Sequence, residues 1–246
     1  MMDSFKLKVA GLVAHVHPLY LSTKEYLRSY LTDENPDIHI HVSDEDLQHE
    51  QKMLEQEAIE EGLKIRKFTN PFLERTAIQR GMATELLNRN TILLHGSTIA
   101  VDGNAYLFTA PCGTGKSTHT RLWREVFGDR AVMVNDDKAF LKITESEVLA
   151  YGSPWSGKHG LDTNVCVPLK GICFLRRGTY NEIIPASAVN WIPELQHQCF
   201  VPEDSSGAAK VDSLIRSMTK IVPLWEMFCT KEHEAALIAY SAMSAE

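Results

Sequence analysis

The residues with the clearest chemical potential lie between Tyr106 and Thr118, in the run YLFTAPCGTGKST. A β-prone segment precedes a turn of small residues that closes on Gly115-Lys116-Ser117, and a helical pattern follows. Strand, glycine-rich loop and helix in this order are typical of a phosphate-binding loop, where backbone N–H groups and the helix dipole face the phosphates. The lysine then reaches the β- and γ-phosphates, and the serine hydroxyl binds Mg²⁺. The sequence therefore predicts a nucleotide site formed by Pro111, Cys112, Gly113, Thr114, Gly115, Lys116, Ser117 and Thr118.

The loop departs from the usual pattern at its first position, where Ala110 replaces the common glycine. Alanine fits that position only if its φ is negative, so the loop geometry can differ from that of common NTPases. A chance Gly-Lys-Ser turn is the alternative, and the flanking strand and helix patterns argue against it.

A pair of carboxylates follows the loop helix. The apolar run Ala131–Val134 leads into Asn135-Asp136-Asp137-Lys138. One aspartate at a strand end can hold a metal while its neighbour accepts the proton of an attacking hydroxyl, as phosphoryl transfer requires. A polar turn is the alternative, because Asn and Asp favour turns. With a phosphate-binding loop upstream, the catalytic interpretation is preferred.

Three further residues are candidates for the site. His95 precedes the loop strand, and hairpin pairing could bring it beside the loop. Lys158 lies in the turn-rich segment 151–164, where it could steady a transferring phosphoryl group unless the segment is only a surface connection. Arg176 or Arg177, at the end of an apolar strand, could bind phosphate by paired hydrogen bonds or form a plain surface turn.

The elements that must position these residues are predicted from periodicity and turn signals. Asp102-Gly103 between apolar runs predicts a hairpin, so the loop strand has an antiparallel partner. The fold class is therefore α/β, with a mixed, largely antiparallel sheet around the loop. Other strands are expected over residues 5–9, 38–42, 131–134, 171–175 and 224–229, and helices over residues 43–61, 70–89, 188–195, 211–221 and 232–243.

The N-terminal third is predicted to be a flanking subdomain or lid over residues 1–70, with a catalytic domain over residues 71–246. His39 and His41 lie on one face of a predicted strand and resemble a metal pair. An ordinary solvated strand face is preferred, because no third ligand lies nearby in the sequence.

Composition limits the class of protein. Lys and Arg number 25 against 32 Asp and Glu, a net charge of −7, and no basic patch tracks a nucleic-acid backbone. The five cysteines are scattered without a C-x-x-C pair, which argues against a disulfide scaffold or zinc ribbon and suits a reducing cytoplasm. With neither a signal-peptide core nor a membrane span in the sequence, a cytoplasmic protein is expected.

The motifs in combination resemble a known family. The HGS run at residues 95–97, the loop run through Gly115–Trp123 and Asn135–Lys138 are similar to the nucleotide-binding core of ATP-dependent phosphoenolpyruvate carboxykinases and bacterial HPr kinase/phosphorylases. Small HPr-kinase-like proteins of bacteria, including those of lasso-peptide pathways and those beside PqqD-like proteins, resemble it more closely, since they also carry a G-x-PW-x-G loop, here Gly152–Gly157. The resemblance spans about residues 72–242 and includes Val222–Glu226.

The resemblance implies a role for each matching residue. Lys116 would bind phosphate, and Ser117 and Asp136 would hold Mg²⁺. Asp137 would be the general base, although the two aspartates could exchange roles. His95 matches the histidine that carboxykinases use near their second metal and the His-Gly of HPr kinases.

These observations predict a Mg²⁺- and ATP-dependent kinase whose acceptor is a hydroxyl of a peptide, a protein serine, an amino acid or another small molecule. A carboxykinase-like lyase is the first alternative, disfavoured because the chain is short and no lysine lies between Lys67 and His95. A nucleotide-binding regulatory module without turnover is the second, kept open by Ala110 and by Cys112, which stands where these families commonly have serine. HPr kinases are hexameric, so a homo-oligomer is a further open alternative.

Overall fold

The chain forms two compact units in the computed structural model, which describes residues 4–60 and 62–245. The units are Met1–Glu85 and Leu86–Glu246, whereas the sequence placed a boundary between residues 70 and 71. Within the described residues, every helix is too short or too polar to cross a bilayer.

The first unit is a small sheet with three helices. Strands β1 and β2 pair antiparallel across the left-handed turn Ala10-Gly11, and β2 pairs parallel with β3. The sequence analysis did not predict β2, because its apolar residues Leu12, Val13, Ala14 and Val16 do not alternate strictly with polar ones. The elements are β1 (Phe5–Val9), β2 (Leu12–His17), α1 (Leu21–Tyr26), a 3₁₀ turn (Arg28–Tyr30), β3 (Ile38–His41), α2 (Asp44–Glu60) and α3 (Asn70–Leu87).

Side-chain pairs fix the helices of this unit. A capping box opens α2, since the Ser43 N–H donates to the Asp46 carboxylate at 2.8 Å and the Asp46 N–H donates to Ser43 Oγ at 3.3 Å. Arg80 of α3 donates two hydrogen bonds to the buried Glu50 carboxylate of α2, at 2.5 and 3.0 Å. Arg80 is therefore committed to the Glu50 carboxylate.

The second unit is a mixed nine-stranded sheet, with most of its strand pairs antiparallel, and four helices. Strand order is β4-β8-β9-β10-β6-β5-β7, with β12 pairing β10 in parallel and β11 pairing β12. The expected hairpin is present, since β5 and β6 pair antiparallel across Asp102-Gly103. The strands are β4 (Thr91–His95), β5 (Ser97–Val101), β6 (Asn104–Thr109), β7 (Ala131–Asn135), β8 (Lys138–Ile143), β9 (Val148–Tyr151), β10 (Cys166–Arg177), β11 (Glu182–Pro185) and β12 (Leu224–Cys229).

The helices cover both faces of this sheet. Along β6, Leu107 joins the cluster that includes Leu195 of α5 and Ile215 of α6, while Tyr106 and Phe108 join the cluster that includes residues of α4 and α7. The two central strands β6 and β10 are therefore buried on both faces, as strands in a three-layer arrangement are. The helices are α4 (Lys116–Phe127), α5 (Ala188–Gln198), α6 (Ser205–Ile221) and α7 (His233–Met243), with 3₁₀ turns at Gly128–Arg130 and Gly157–His159.

Helix α6 begins earlier than its apolar pattern indicated. Its N-cap is Asp204, whose carboxylate accepts from the Gly207 N–H at 2.8 Å, and the neighbouring Ser205 and Ser206, which are also suitable caps by residue type, lie inside the helix. An aspartate accepts this bond as well as a serine does, so the position of the cap could not be chosen from residue type alone.

Candidate functional site

The glycine-rich loop, residues 110–118, joins β6 to α4 in the order that the sequence predicted. Gly113 and Gly115 have φ values of +76° and +127°, a conformation that favours glycine. Ala110 is not among the described residues with positive φ, so the conformation there suits alanine. The Lys116 ammonium donates to the Ala110 carbonyl oxygen at 2.8 Å and is buried beneath the loop.

The start of α4 presents free backbone donors and a hydroxyl. The first N–H groups of a helix have no partner inside it and, with the helix dipole, favour an anion. Ser117 and Thr118 are half-buried in this first turn, whereas Pro111, Cys112 and Gly113 are exposed. The predicted phosphate-binding residues therefore lie around one helix start.

Arg177 contacts the glycine-rich loop from the end of β10. Its guanidinium donates to the Gly113 carbonyl at 2.5 Å and to the Thr114 carbonyl at 3.4 Å. The neighbouring Arg176 instead pairs with Glu226 at 3.0 Å and lies over a tryptophan ring. Of the two arginines considered from sequence, the structure brings Arg177 to the loop.

The acidic pair lies in the tight connection between β7 and β8. Asp136 is 6% exposed, and its carboxylate accepts a hydrogen bond from Ser97 Oγ at 2.6 Å. Ser97 Oγ also accepts a hydrogen bond from Thr120 Oγ1 at 2.8 Å, because the single Ser97 hydroxyl proton is donated to Asp136. A chain of hydrogen bonds therefore links Thr120 of α4 to Asp136.

Asn135 fixes the shape of the acidic turn. Its side-chain carbonyl accepts from the N–H groups of Asp137 and Lys138 at 2.8 and 2.5 Å, while its amide donates to Ser153 oxygens at 2.8 and 3.0 Å. The Asp136 N–H donates to the Leu161 carbonyl at 3.0 Å. Asn135 thus ties Asp137 to the segment 151–164, and the Asp136 backbone is bonded to the same segment directly.

His95 lies beside Asp137, with 3.3 Å between His95 Nε2 and Asp137 Oδ1. Burial, together with the positive charges of Lys116 and Lys138, lowers the pKa of His95 to about 3. The ring is therefore neutral near pH 7 and can donate one hydrogen bond to the carboxylate. The Gly96 N–H also donates to the Asp137 carbonyl, at 2.8 Å.

The segment 151–164 packs closely against the acidic turn. A Cβ on Gly152 would lie 1.8 Å from the Thr163 carbonyl oxygen, and one on Gly157 would lie 3.1 Å from Asp137 Cβ. Lys158 follows Gly157 in the chain and is exposed. The two glycines permit this approach, which places the backbone of the segment next to the second aspartate.

A cavity of about 380 Å³ opens beside the loop. Its lining includes Thr114, Thr118, His119, Arg177 and Lys231. His119 Nε2 accepts a hydrogen bond from the indole N–H of Trp123 in α4, at 3.1 Å. The neutral imidazole ring therefore carries its proton on Nδ1. That buried Nδ1 has no hydrogen-bond partner among the described residues. His119 therefore lines the cavity and holds a buried N–H donor without a partner among the described residues.

Sequence reasoning missed the polar residues that hold the carboxylates. Ser97 and Asn135 lie inside the predicted motifs, next to His95 and Asp136 in the chain. The sequence did not indicate that they form hydrogen bonds with the acidic turn. Both are fully buried. A small polar residue within an apolar strand pattern is the available signal, because such a residue needs a partner when buried.

Comparison with solved structures finds chains of similar fold. The structure is similar to that of an HPr(Ser) kinase/phosphatase from Coxiella burnetii, with a TM-score of 0.35 and 10% identity, covering 62% of this chain and 93% of that one. A likeness of this size supports no argument about function. No family model and no curated protein matches the sequence. The resemblance of the motifs therefore stays a prediction.

Proposed function

We propose that the chain is an ATP- and Mg²⁺-dependent kinase that transfers the γ-phosphoryl group to a hydroxyl acceptor. The observation that carries this proposal is the hydrogen-bond chain from Thr120 of α4 through Ser97 to Asp136. It holds a candidate phosphate site and a carboxylate pair together, which is the requirement that phosphoryl transfer places on a protein.

ATP is proposed to bind with its phosphates on Pro111–Thr118 and its nucleoside in the neighbouring cavity. The backbone N–H groups of the loop and of the first turn of α4 bind phosphate oxygens. Lys116 exchanges its bond to the Ala110 carbonyl for a phosphate, because a charged acceptor gives a stronger hydrogen bond.

The oxygen ligands needed for Mg²⁺ are present at this site. Ser117 and Asp136 offer a hydroxyl and a buried carboxylate, which are hard ligands of the kind this ion prefers. A Mg²⁺ ion held by these two residues would neutralise the charge that develops on the phosphate oxygens. Ser97 orients the Asp136 carboxylate through its 2.6 Å hydrogen bond.

Asp137 is proposed as the general base. The acceptor oxygen forms its bond to the γ-phosphorus as the bond from that phosphorus to the bridging oxygen breaks. The hydroxyl proton passes to the Asp137 carboxylate, and ADP leaves. Neutral His95 holds this carboxylate by a hydrogen bond, while Lys158 and Arg177 add positive charge around the transferring group.

The test is transfer of a radiolabelled γ-phosphoryl group from ATP to an acceptor panel. The panel contains free serine and other hydroxyl metabolites, an HPr-type protein and peptides encoded beside the gene. We expect one labelled class with the wild-type protein. Asp137→Asn should abolish labelling while ATP affinity stays within a few-fold, and Lys116→Ala should weaken both binding and transfer.

Each alternative has its own outcome in this test. ATP binding without transfer to any acceptor would favour a regulatory module, and CO₂ release from oxaloacetate with ATP would favour a carboxykinase-like lyase. Full transfer by Asp137→Asn would remove Asp137 as the base. Full activity of Lys116→Ala would contradict the nucleotide site itself.

A further inference from the structure

Four histidines share one face of the sheet in the first unit. Strands β2 and β3 are parallel, with His15 opposite His39 and His17 opposite His41. Alternate residues of a strand point to one side, so all four rings lie on the same face. The intervening residues of β2, Ala14 and Val16, are fully buried on the opposite face. The four histidines, called the histidine cluster below, therefore lie on the more exposed face of this sheet, and the opposite face is buried.

The rings of the histidine cluster are close enough to act on one ion. The candidate ligand nitrogens of His15, His17 and His39 all lie within 4.8 Å of one another. The ring centroids are 4.5 Å apart for His15 and His17 and 5.2 Å apart for His15 and His39. His41 stacks on His17 at 4.1 Å. The third ligand that seemed missing from the sequence comes from β2, which was not predicted.

The surroundings of the histidine cluster support an ordered arrangement. Ser4 Oγ lies 2.8 Å from His15 Nε2, and such a partner on one ring nitrogen orients the ring, as it does for metal-bound histidines. Lys6 lies opposite His15 in the β1–β2 register, and its ammonium is held by the Asp33 carbonyl at 3.1 Å. The cation opposite His15 is thus held by an acceptor of its own.

We propose that His15, His17 and His39 form a binding site for a borderline divalent transition metal, with Zn²⁺ as the expected ion. Zinc–nitrogen bonds of about 2.0–2.1 Å require the three nitrogens to approach by roughly an ångström, which rotation of the exposed or half-exposed rings allows. Imidazole ligands suit Zn²⁺, Cu²⁺ and Ni²⁺ and do not suit Mg²⁺ or Ca²⁺. Three protein ligands leave a coordination position for solvent or for an incoming ligand. This site is separate from the proposed Mg²⁺ site and does not depend on it.

The test is Zn²⁺ binding to the full-length, metal-stripped protein, measured by competition with a chromogenic chelator at pH 7.5. We expect one Zn²⁺ per chain. His39→Ala, at an exposed position, should keep the fold by circular dichroism and lose at least about tenfold in affinity, since even outer partners of metal ligands contribute tenfold or more. His197→Ala removes an exposed histidine of α5 and is the matched control, expected to bind as the wild type does.

A second measurement identifies the ligand atoms. Co²⁺ in place of Zn²⁺ should give visible bands of a nitrogen-ligated site, and these bands should disappear in His17→Ala and His39→Ala. A thiolate-to-cobalt charge-transfer band would mean that one of the five cysteines binds the metal, which would overturn the proposal. Wild-type Zn²⁺ affinity in His39→Ala, or no binding by the wild-type chain, would overturn it too.

Discussion

At the scale of single residues, the position of a side chain along β10 decides what it touches. Arg176 and Arg177 are adjacent, so they point to opposite sides of the strand. Arg176 faces Glu226, and Arg177 faces the carbonyls of Gly113 and Thr114. The sequence could name the pair, but the choice between the two depended on which face of β10 lies next to the loop.

Arg177→Ala is expected to weaken ATP binding about tenfold, equivalent to roughly 1.4 kcal/mol. The guanidinium holds two carbonyls of the glycine-rich loop, so its loss leaves the loop less ordered before ATP binds. Isothermal titration with ATP and Mg²⁺ measures the change. Arg176→Ala removes the same charge one residue away and should stay within about twofold; equal losses in both variants would mean that charge alone matters.

At the scale of elements, local sequence patterns predicted individual strands and a hairpin, but they did not predict which distant strands pair with each other. The Asp102-Gly103 hairpin and the strand before the acidic pair followed from short-range signals, and both are present. The parallel pairing of β6 with β10 joins segments about sixty residues apart, and nothing in either strand specifies its partner. Strand β2 was not predicted, because its apolar residues do not alternate with polar ones. The histidines of β2 that lie next to His39 were therefore not predicted as its neighbours.

The close approach of the segment 151–164 to the acidic turn makes Gly152 a sensitive position. In Gly152→Ala the new methyl group would overlap the Thr163 carbonyl, so the segment must move. Overpacking of this kind costs about 3 kcal/mol or more. We expect a large loss of stability in urea and a loss of phosphoryl transfer, both followed on the purified variant.

Gly160→Ala is the comparison for this variant. Gly160 has φ +60° with no atom within 4 Å of an added Cβ, so alanine there meets only backbone strain. That strain costs roughly 1–2 kcal/mol. If Gly160→Ala proved as damaging as Gly152→Ala, steric contact with Thr163 would not be the cause.

At the scale of the whole molecule, two buried histidines make the stability of the second unit depend on pH. Burial lowers the pKa of His119 to about 3, and burial with two nearby lysines does the same for His95. An unfolded histidine has a pKa near 6.5. Between these values the unfolded chain binds more protons, so the free energy of unfolding falls as pH decreases from about 6.5 toward 3.

Tryptophan fluorescence during urea unfolding measures this effect, because all four tryptophans lie in the second unit. Each histidine contributes a slope of up to about 1.4 kcal/mol per pH unit in chelator-treated protein. His119→Gln removes one titrating group and should reduce the slope by up to that amount. An unchanged slope in His119→Gln would mean that His119 does not bind a proton on unfolding.

The parallel pairing of β6 with β10 also has a consequence for synthesis on the ribosome. The strand that leads into the glycine-rich loop has its antiparallel neighbour within a few residues, but its other edge stays open until β10 has been made. A nascent chain that ends before residue 166 lacks β10 and also the Arg177 contact to the loop. The loop therefore gains its contacts with β10 late in translation. A prematurely terminated chain contains the glycine-rich loop without β10 and without the Arg177 contact.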